Sequence, residues 1–373
     1  NATNRTFALL AGLAVLSADV LAQSTFNSGS DGSYGVMAIT QNTTLDLPPD
    51  GVFHCTTVNV AAGSTLRFRR NALNTPVYLL ATGDVLISGT VEVSGSNNSG
   101  AVPGEGGPGG FDGGYGGFGP SGAANRGGDG HGPGRGVNAT QRGDAAHSAN
   151  AGQNTNVYGN VLILPMIGGS GGAGGTGNPG NGGGGGGGAI LIASNTRITV
   201  NGAVRATGGF GPTGSGSGGS IRLVAPTGGG GGSIQTQGQS GSSAGRVRVD
   251  TEDFLAFRNL SYNGPVTRGT RMFVFPQALP KLHIVEAAGT QIPAPATSAV
   301  NVQLPANAPT TQQVRIRGEG FTGEVAVQLV VVPEHSASSV FNLTLNGSAN
   351  PAEVTADITL PTGEPVRIEA WVR

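Results

Sequence analysis

Alternating apolar and polar positions recur along the chain in a fixed order. Val77 to Gly95 reads VYLLATGDVLISGTVEVSG, Ala189 to Gly208 reads AILIASNTRITVNGAVRATG, and Ile221 to Gly238 reads IRLVAPTGGGGGSIQTQG. Each has an alternating strand, a polar corner, a second short strand, a Gly-containing turn and a third strand closing on glycine. A period of two puts every second side chain on one face. Short strands repeated in this way predict a parallel β-helix, whose coils bury their inner faces only when the next coil stacks on them. The predicted inward positions are Val77, Leu79 and Ala81 against Ile190, Ile192 and Ser194, followed by Val85, Ile87, Ile198 and Val200. Val52 to Val60 and Thr65 to Phe68 read as entry coils, and Arg246 to Asp250 as an exit coil.

Between these repeats lies a different period. Every third residue is glycine at Gly104, Gly107, Gly110, Gly113, Gly116, Gly119 and Gly122, and again at Gly168, Gly171, Gly174, Gly177, Gly180, Gly183 and Gly186. A polyproline II helix has three residues per turn, so one edge of each segment carries no side chain and can approach another backbone. A flexible linker has no reason to hold one phase, and collagen requires more proline than Pro108, Pro120 and Pro179 supply. The spacing predicts a polyproline II bundle inserted at residues 96–188. Smaller Gly-rich excursions at Gly209 to Gly219 and Gln239 to Gly245 leave from the same corner of successive coils, so stacking aligns all three. Drawn straight, each nineteen-residue lattice reaches about 59 Å at ~3.1 Å per residue, beyond the ~24 Å of about five coils. The bundle is therefore expected to project past the solenoid. The apolar run Val157 to Ile167 is expected to pack back on the solenoid, cap the bundle or meet another subunit.

The grammar changes near Pro276 and Pro280. Alternating runs at Leu282 to Val285, Val300 to Leu304, Gln313 to Ile316, Val325 to Val332, Val340 to Leu345, Glu353 to Leu360 and Val366 to Val372 predict seven strands of an immunoglobulin-like β-sandwich. The organisation expected is all-β: residues 23–276 a parallel β-helix carrying the insertion, and 277–373 the sandwich. Residues 1–22 are a signal peptide, from the apolar stretch Thr6 to Ala22, or a retained apolar segment held by a neighbouring subunit. Asp19 and the short length argue against a membrane-spanning helix.

Composition narrows the chemistry. The 373 residues carry 69 glycines, 11% charged residues and a net charge of −1, which excludes the concentrated basic surface nucleic acid needs. The single Cys55 cannot form an internal disulfide; it is a buried small hydrophobe or an intersubunit link. His54, His131, His147, His283 and His335 show no metal spacing. The charged residues of the coils, Asp84, Glu92, Arg197, Arg205, Arg222, Asp250, Glu252 and Asp253, fall one per strand, and Asp250, Glu252 and Asp253 read as a solvated turn before a calcium site. No phosphate-cradling loop occurs in the right context. Arg142-Gly143-Asp144 is the integrin-read tripeptide, expected by chance in this composition. Sequons stand at Asn42, Asn97, Asn138, Asn259, Asn342 and Asn346.

The lattices resemble the glycine-rich bundle of springtail antifreeze proteins, without the disulfides that staple such bundles. Over nearly the whole chain, the coil VYLLATGDVLISGTVEVSG, the re-entry GGGGGGGAILIAS and the coil SIRLVAP resemble glycine-rich secreted proteins of bacteria with a pectate-lyase-like parallel β-helix. That resemblance implies an extracellular or cell-surface address and brings no catalytic residues. The expectation is a secreted structural protein, a fibre subunit or surface adhesin, assembling through open solenoid ends, the Gly-rich bundle and the C-terminal sandwich into a homo-oligomer or homopolymer. No catalytic, cofactor or metal residues are assigned, and no cofactor. The alternatives are a carbohydrate-active β-helix enzyme, a lyase or hydrolase, and an ice- or glycan-binding protein with a surface glycan as partner.

Overall fold

The computed structural model describes residues 26–119, 125–138, 143–276 and 279–373. The segment 1–22 and Gly122 lie outside the described residues. Among these no helix is long and apolar enough to cross a membrane.

Two parallel sheets, of ten and six strands, form a β-solenoid. It opens with β1 (Gly35–Ile39), β2 (Thr43–Asp46), β3 (Val52–Val60) and β4 (Thr65–Arg69). Full coils follow as β5 (Val77–Ala81), β6 (Val85–Ile87) and β7 (Thr90–Glu92), then β8 (Ala189–Ser194), β9 (Arg197–Val200) and β10 (Ala203–Arg205), then β11 (Ser220–Val224), β12 (Thr227–Gly229) and β13 (Ser233–Gln235). β14 (Arg246–Asp250) is the expected exit coil, and β15 (Ser261–Asn263) and β16 (Val266–Gly269) extend the stack beyond it.

Parallel register turns the alternation into columns of like side chains. Phe53, Leu79, Ile192, Leu223 and Val249 form one column; Leu66, Val91, Val204 and Ile234 form another. All belong to one continuous core, as do Val85, Ile87, Ile198 and Val200. Fully burying each such side chain contributes about 1.5–3 kcal/mol. The outer face of β5, β8 and β11 is buried as well. Leu80, Leu191, Ala193 and Val224 lie under Phe26, Val274 and Met166. Met166 comes from the apolar run between the lattices, and Ser220 Oγ donates to Ile167 O at 2.6 Å, so that run packs back on the solenoid.

Aromatic side chains pack on the solenoid core toward both of its ends. After β14 the chain crosses the core in a turn where Phe257, at φ 60°, is fully buried. A Cβ on Gly228 would stand 2.1 Å from the Phe257 ring, so glycine there makes room for the plug. At the other end Tyr34 packs edge-on to Phe53 at 5.5 Å, and Phe53 on Phe68 at 5.6 Å.

The C-terminal part is a sandwich-like pair of antiparallel sheets. β17 (Lys281–Ala287), β18 (Thr290–Gln291), β19 (Thr311–Glu319) and β22 (Ala352–Thr359) form one; β20 (Glu324–Pro333), β21 (Ser339–Asn346) and β23 (Val366–Val372) form the other. Val314, Ile316, Leu329, Val331 and Ile358 fill the space between them. One expected strand is absent: Val300 to Leu304 lies in an irregular connection. Its alternation sets a face, but Pro293, Pro295, Pro305 and Pro309 flank it and no sheet edge pairs with it.

Candidate functional site: the glycine-rich body and its seam with the sandwich

All three Gly-rich excursions leave the third strand of a coil and return at the first strand of the next. The outgoing ends continue the six-stranded sheet: Val93 N donates to Arg205 O at 2.8 Å, Ala206 N to Gln235 O at 2.8 Å and Gly208 N to Gln237 O at 3.0 Å. On the return side Ser220 N reaches Gly188 O at 2.9 Å and Arg246 N reaches Gly219 O at 3.0 Å.

Neither lattice runs straight, which corrects the projecting rod. The first turns back at Gly107–Gly110, where Gly110 N donates to Gly107 O at 2.7 Å and Gly109 takes φ 76°. The second folds at 176–180, so its halves run antiparallel: Gly169 N to Gly187 O is 2.6 Å, Gly172 N to Gly184 O is 2.9 Å and Gly175 N to Asn181 O is 2.7 Å. At about 3.1 Å per residue, each eight-residue limb reaches only ~25 Å. The limb 111–117 lies alongside with the same interval: Phe111 N to Gly169 O 3.0 Å, Gly114 N to Gly172 O 2.9 Å, Gly117 N to Gly175 O 2.9 Å.

Close approach explains the period. A Cβ would meet backbone oxygen at 2.0 Å on Gly104, 1.9 Å on Gly107, 2.5 Å on Gly110, 2.3 Å on Gly113 and 2.2 Å on Gly116. The distances are 2.6 Å on Gly168, 1.8 Å on Gly171, 1.9 Å on Gly174, 2.1 Å on Gly180, 2.0 Å on Gly183 and 2.0 Å on Gly186. Gly177 sits in the turn, where its Cβ would approach Gly180 Cα at 2.9 Å, and Gly119 is buried. The positions between are also tight: Gly172, Gly184 and Gly187 leave 2.3, 2.1 and 2.3 Å. Only small residues, Ser170 and Ala173, occupy the remaining phase of the central limb, and both are buried.

A polar line runs through this body that spacing did not single out. Fully buried His147 stacks on Tyr158, with centroids 4.4 Å apart and planes at 7°, and its Nδ1 lies 2.7 Å from Gly218 O. Burial pulls the His147 imidazole down to about 4, so it is neutral and Nδ1–H is the donor. The Tyr158 hydroxyl, raised by burial, donates to Gly168 O at 2.7 Å and accepts from Ser170 Oγ at 3.0 Å. Asp144, of the integrin-read tripeptide, is buried and accepts from Ser215 N at 2.8 Å, so it serves the body's interior; Arg142 lies outside the described residues. The sequon residue Asn138 is likewise engaged, its Nδ2 donating to Gly127 O and Gly174 O.

The sandwich docks on one face of this body. Phe111 meets Trp371 edge-on at 5.4 Å, and Tyr115 and Phe118 flank His335 at 6.1 and 5.7 Å. Buried Asp129 accepts from Ser338 N at 3.0 Å, Ser338 Oγ at 2.6 Å and Arg126 at 2.6 Å. Glu369, also buried, holds His131 Nδ1 at 3.1 Å and Gly132 N at 3.2 Å. Burial pushes the Glu369 carboxyl up, but its hydrogen bonds and the His131 charge outweigh that and leave it below the usual range. One signal for this seam was present: Arg367, Glu369 and Trp371 share the strand face opposite Val366, Ile368 and Ala370, and a tryptophan on a polar face marks a covered one.

The charged coil residues do not all stay scattered. Asp250 binds Arg222 through Oδ2 at 2.9 and 3.0 Å and Arg248 through Oδ1 at 2.6 and 3.0 Å, all three buried, with Phe273 stacked over the Arg222 guanidinium at 4.9 Å. Glu92 and Arg205 are 3.8 Å apart, Asp84 accepts from Thr196 Oγ1 at 2.5 Å, and Arg197 Nε donates to Thr199 Oγ1 at 3.2 Å. Glu252 and Asp253 remain on the turn after β14. Among the described residues no group of three His, Cys, Asp or Glu is placed to hold a metal ion. Cys55 points into the solenoid core, and burial raises its thiol to about 12, so it is no intersubunit link.

A scan against models of protein families and searches of curated proteins and solved structures found no match to this chain.

Proposed function

We propose that the chain is an extracellular structural protein, a fibre subunit or surface adhesin that works by shape rather than by catalysis. On this reading the glycine-rich body is a bundle of polyproline II segments on a pectate-lyase-like β-helix, and the C-terminal part is an immunoglobulin-like sandwich. One observation carries it: the lattice glycines approach neighbouring backbone so closely that no Cβ fits. Ordering glycine costs roughly 0.5–1 kcal/mol per residue more than ordering alanine, a burden that suits a rigid scaffold and serves no flexible tether. The arginine–aspartate cluster does not favour the enzyme reading, because it is buried beneath Phe273 and its carboxylate is held on both oxygens by arginine.

Two measurements test the reading. Amide exchange at 104–119 and 168–186 is expected to be protected as strongly as the solenoid strands; random-coil exchange there would remove the bundle. Negative-stain microscopy and sedimentation of secreted material are expected to show particles larger than one chain, and monomers at high concentration would refute fibre assembly. Turnover of a plant or microbial polysaccharide would favour the enzyme instead.

A further inference from the structure

A wide cleft, about 2,200 Å³, separates the outer face of the six-stranded solenoid sheet from the sandwich. Its floor follows from the parallel register: Arg67 of β4 lies beside Glu92 of β7, Glu92 beside Arg205 of β10, and Arg205 beside Gln235 of β13. All four line the cleft. At ~4.8 Å per coil they make a straight row about 14 Å long. Two residues further along each chain, Ser94, Thr207 and Gln237 make a second row, in which Thr207 N donates to Ser94 Oγ at 2.9 Å.

These rows hold unspent hydrogen-bonding capacity. Glu92 Oε1, Arg205 Nε and Gln237 Oε1 are buried without a partner. Glu92 Oε2 stands 3.8 Å from Arg205 Nη1, beyond hydrogen-bond reach. The cleft also continues into a recess of about 430 Å³, since Leu73, Asn74, Arg367, Ile368 and Ala370 line both. Phe111 and Trp371 stand in that recess, and Trp371 Nε1 has no hydrogen-bond partner.

The chemistry of the floor selects what fits. Arg67 and Arg205 bracket Glu92, so a polyanion would meet a carboxylate between its two cations. β4, β7, β10 and β13 are each hydrogen-bonded on both sides, so the floor has no backbone edge to which a peptide strand could add. A neutral sugar chain meets both conditions. Its hydroxyls donate and accept, and one residue of an extended chain is close in length to the spacing of the coils. The C–H face of a sugar ring covers an aromatic side chain while its hydroxyls reach the indole N–H. We propose that this cleft binds a neutral, extended polysaccharide across four coils of the solenoid, with one ring seated against Trp371. This deepens the adhesin reading and rests on it, since it names the class of ligand held.

The test titrates the full chain with hexasaccharides of cellulose, xylan, mannan and chitin, and with the matching disaccharides, by calorimetry and by fluorescence of Trp371, the only tryptophan. The expected result is that one hexasaccharide shifts the Trp371 emission and binds about tenfold more tightly than its disaccharide. Glu92→Gln and Arg205→Ala should each weaken it by about tenfold while solenoid amide protection is unchanged. No binding of any hexasaccharide at millimolar concentration overturns the proposal, as does equal affinity in the native chain and both variants. Binding of reduced, carboxymethylated casein that Arg205→Ala abolishes assigns the cleft to a peptide and also overturns it. Adhesion of the native protein to cells that Arg205→Ala leaves intact overturns the cleft and leaves the adhesin reading standing, whereas a chain that binds neither cells nor sugars overturns both.

Discussion

Replacing Gly183 by alanine puts a Cβ 2.0 Å from Gly172 O, 2.6 Å from Gly172 C and 2.8 Å from Ala173 C. None of these atoms belongs to a side chain that can swing away, so two backbones must separate by about 1.4 Å to reach ordinary contact at 3.4 Å. The movement stretches three hydrogen bonds at once: Gly183 N to Gly114 O at 2.8 Å, Gly104 N to Gly183 O at 2.8 Å and Gly172 N to Gly184 O at 2.9 Å. Each is worth about 1 kcal/mol net, and overpacking adds roughly 1–3 kcal/mol. Against this, alanine restricts the unfolded chain and returns about 0.4–1 kcal/mol. The expected net loss is about 3–5 kcal/mol, a large part of the ~5–15 kcal/mol that holds a domain together. Gly231→Ala is the control, because no atom lies within 4 Å of its Cβ and only the unfolded-state gain remains. Urea midpoints and amide exchange across 104–117 and 168–188 measure both. If the two variants agree within about 0.5 kcal/mol, the glycine segments are loops and the close-packing argument fails.

Three further outcomes are expected. His147 is neutral in the fold down to about 4, whereas an unfolded histidine takes a proton near 6.5; stability is therefore complete above that value and falls by up to ~3 kcal/mol as the pH drops toward 4, a slope that denaturation of His147→Gln should flatten. Glu369 is held below the usual carboxylate range, so the seam persists above that range and loosens as the pH falls through the lowered value; fluorescence of Trp371, the only tryptophan, reports it, and Glu369→Gln should abolish this acid dependence. The Cys55 thiol, raised to about 12 and buried, should resist maleimide in the native protein and react once urea opens the solenoid; prompt native labelling would contradict its place in the core.

The solenoid was legible because its alternation has a fixed period and each inward residue meets its counterpart one coil later, as Leu79 meets Ile192. The lattice spacing was legible for the same reason. Its turns were marked but went unread: Pro108-Gly109, with Gly109 at φ 76°, is the proline-glycine pair at the centre of the fold-back. Pro179 marks the second turn in the same way, yet both prolines were weighed only against collagen. The seam escaped because it joins residues such as Asp129 and Ser338, 209 positions apart, and neither has a local signature. The Val300–Leu304 run failed in the opposite sense, since its alternation is present but an edge to pair with is not.

Physical dependence between the parts runs from solenoid to glycine body to sandwich. The first residues of each excursion extend existing ladders, so their placement follows from the coils below rather than from any preference of glycine. Closing the longest excursion, Val93 to Gly188, costs little more than closing a short one, because loop entropy grows only with the logarithm of length. The bond from Gly188 N to Val93 O at 2.7 Å makes that closure at the coil itself. Once both ends are fixed, the limbs between them exchange hydrogen bonds every third residue, and only glycine lets them meet. The sandwich then sits on the large side chains of the first lattice, Phe111, Tyr115 and Phe118. Loss of coil stacking should therefore release all three parts, whereas loss of the seam should free the sandwich alone.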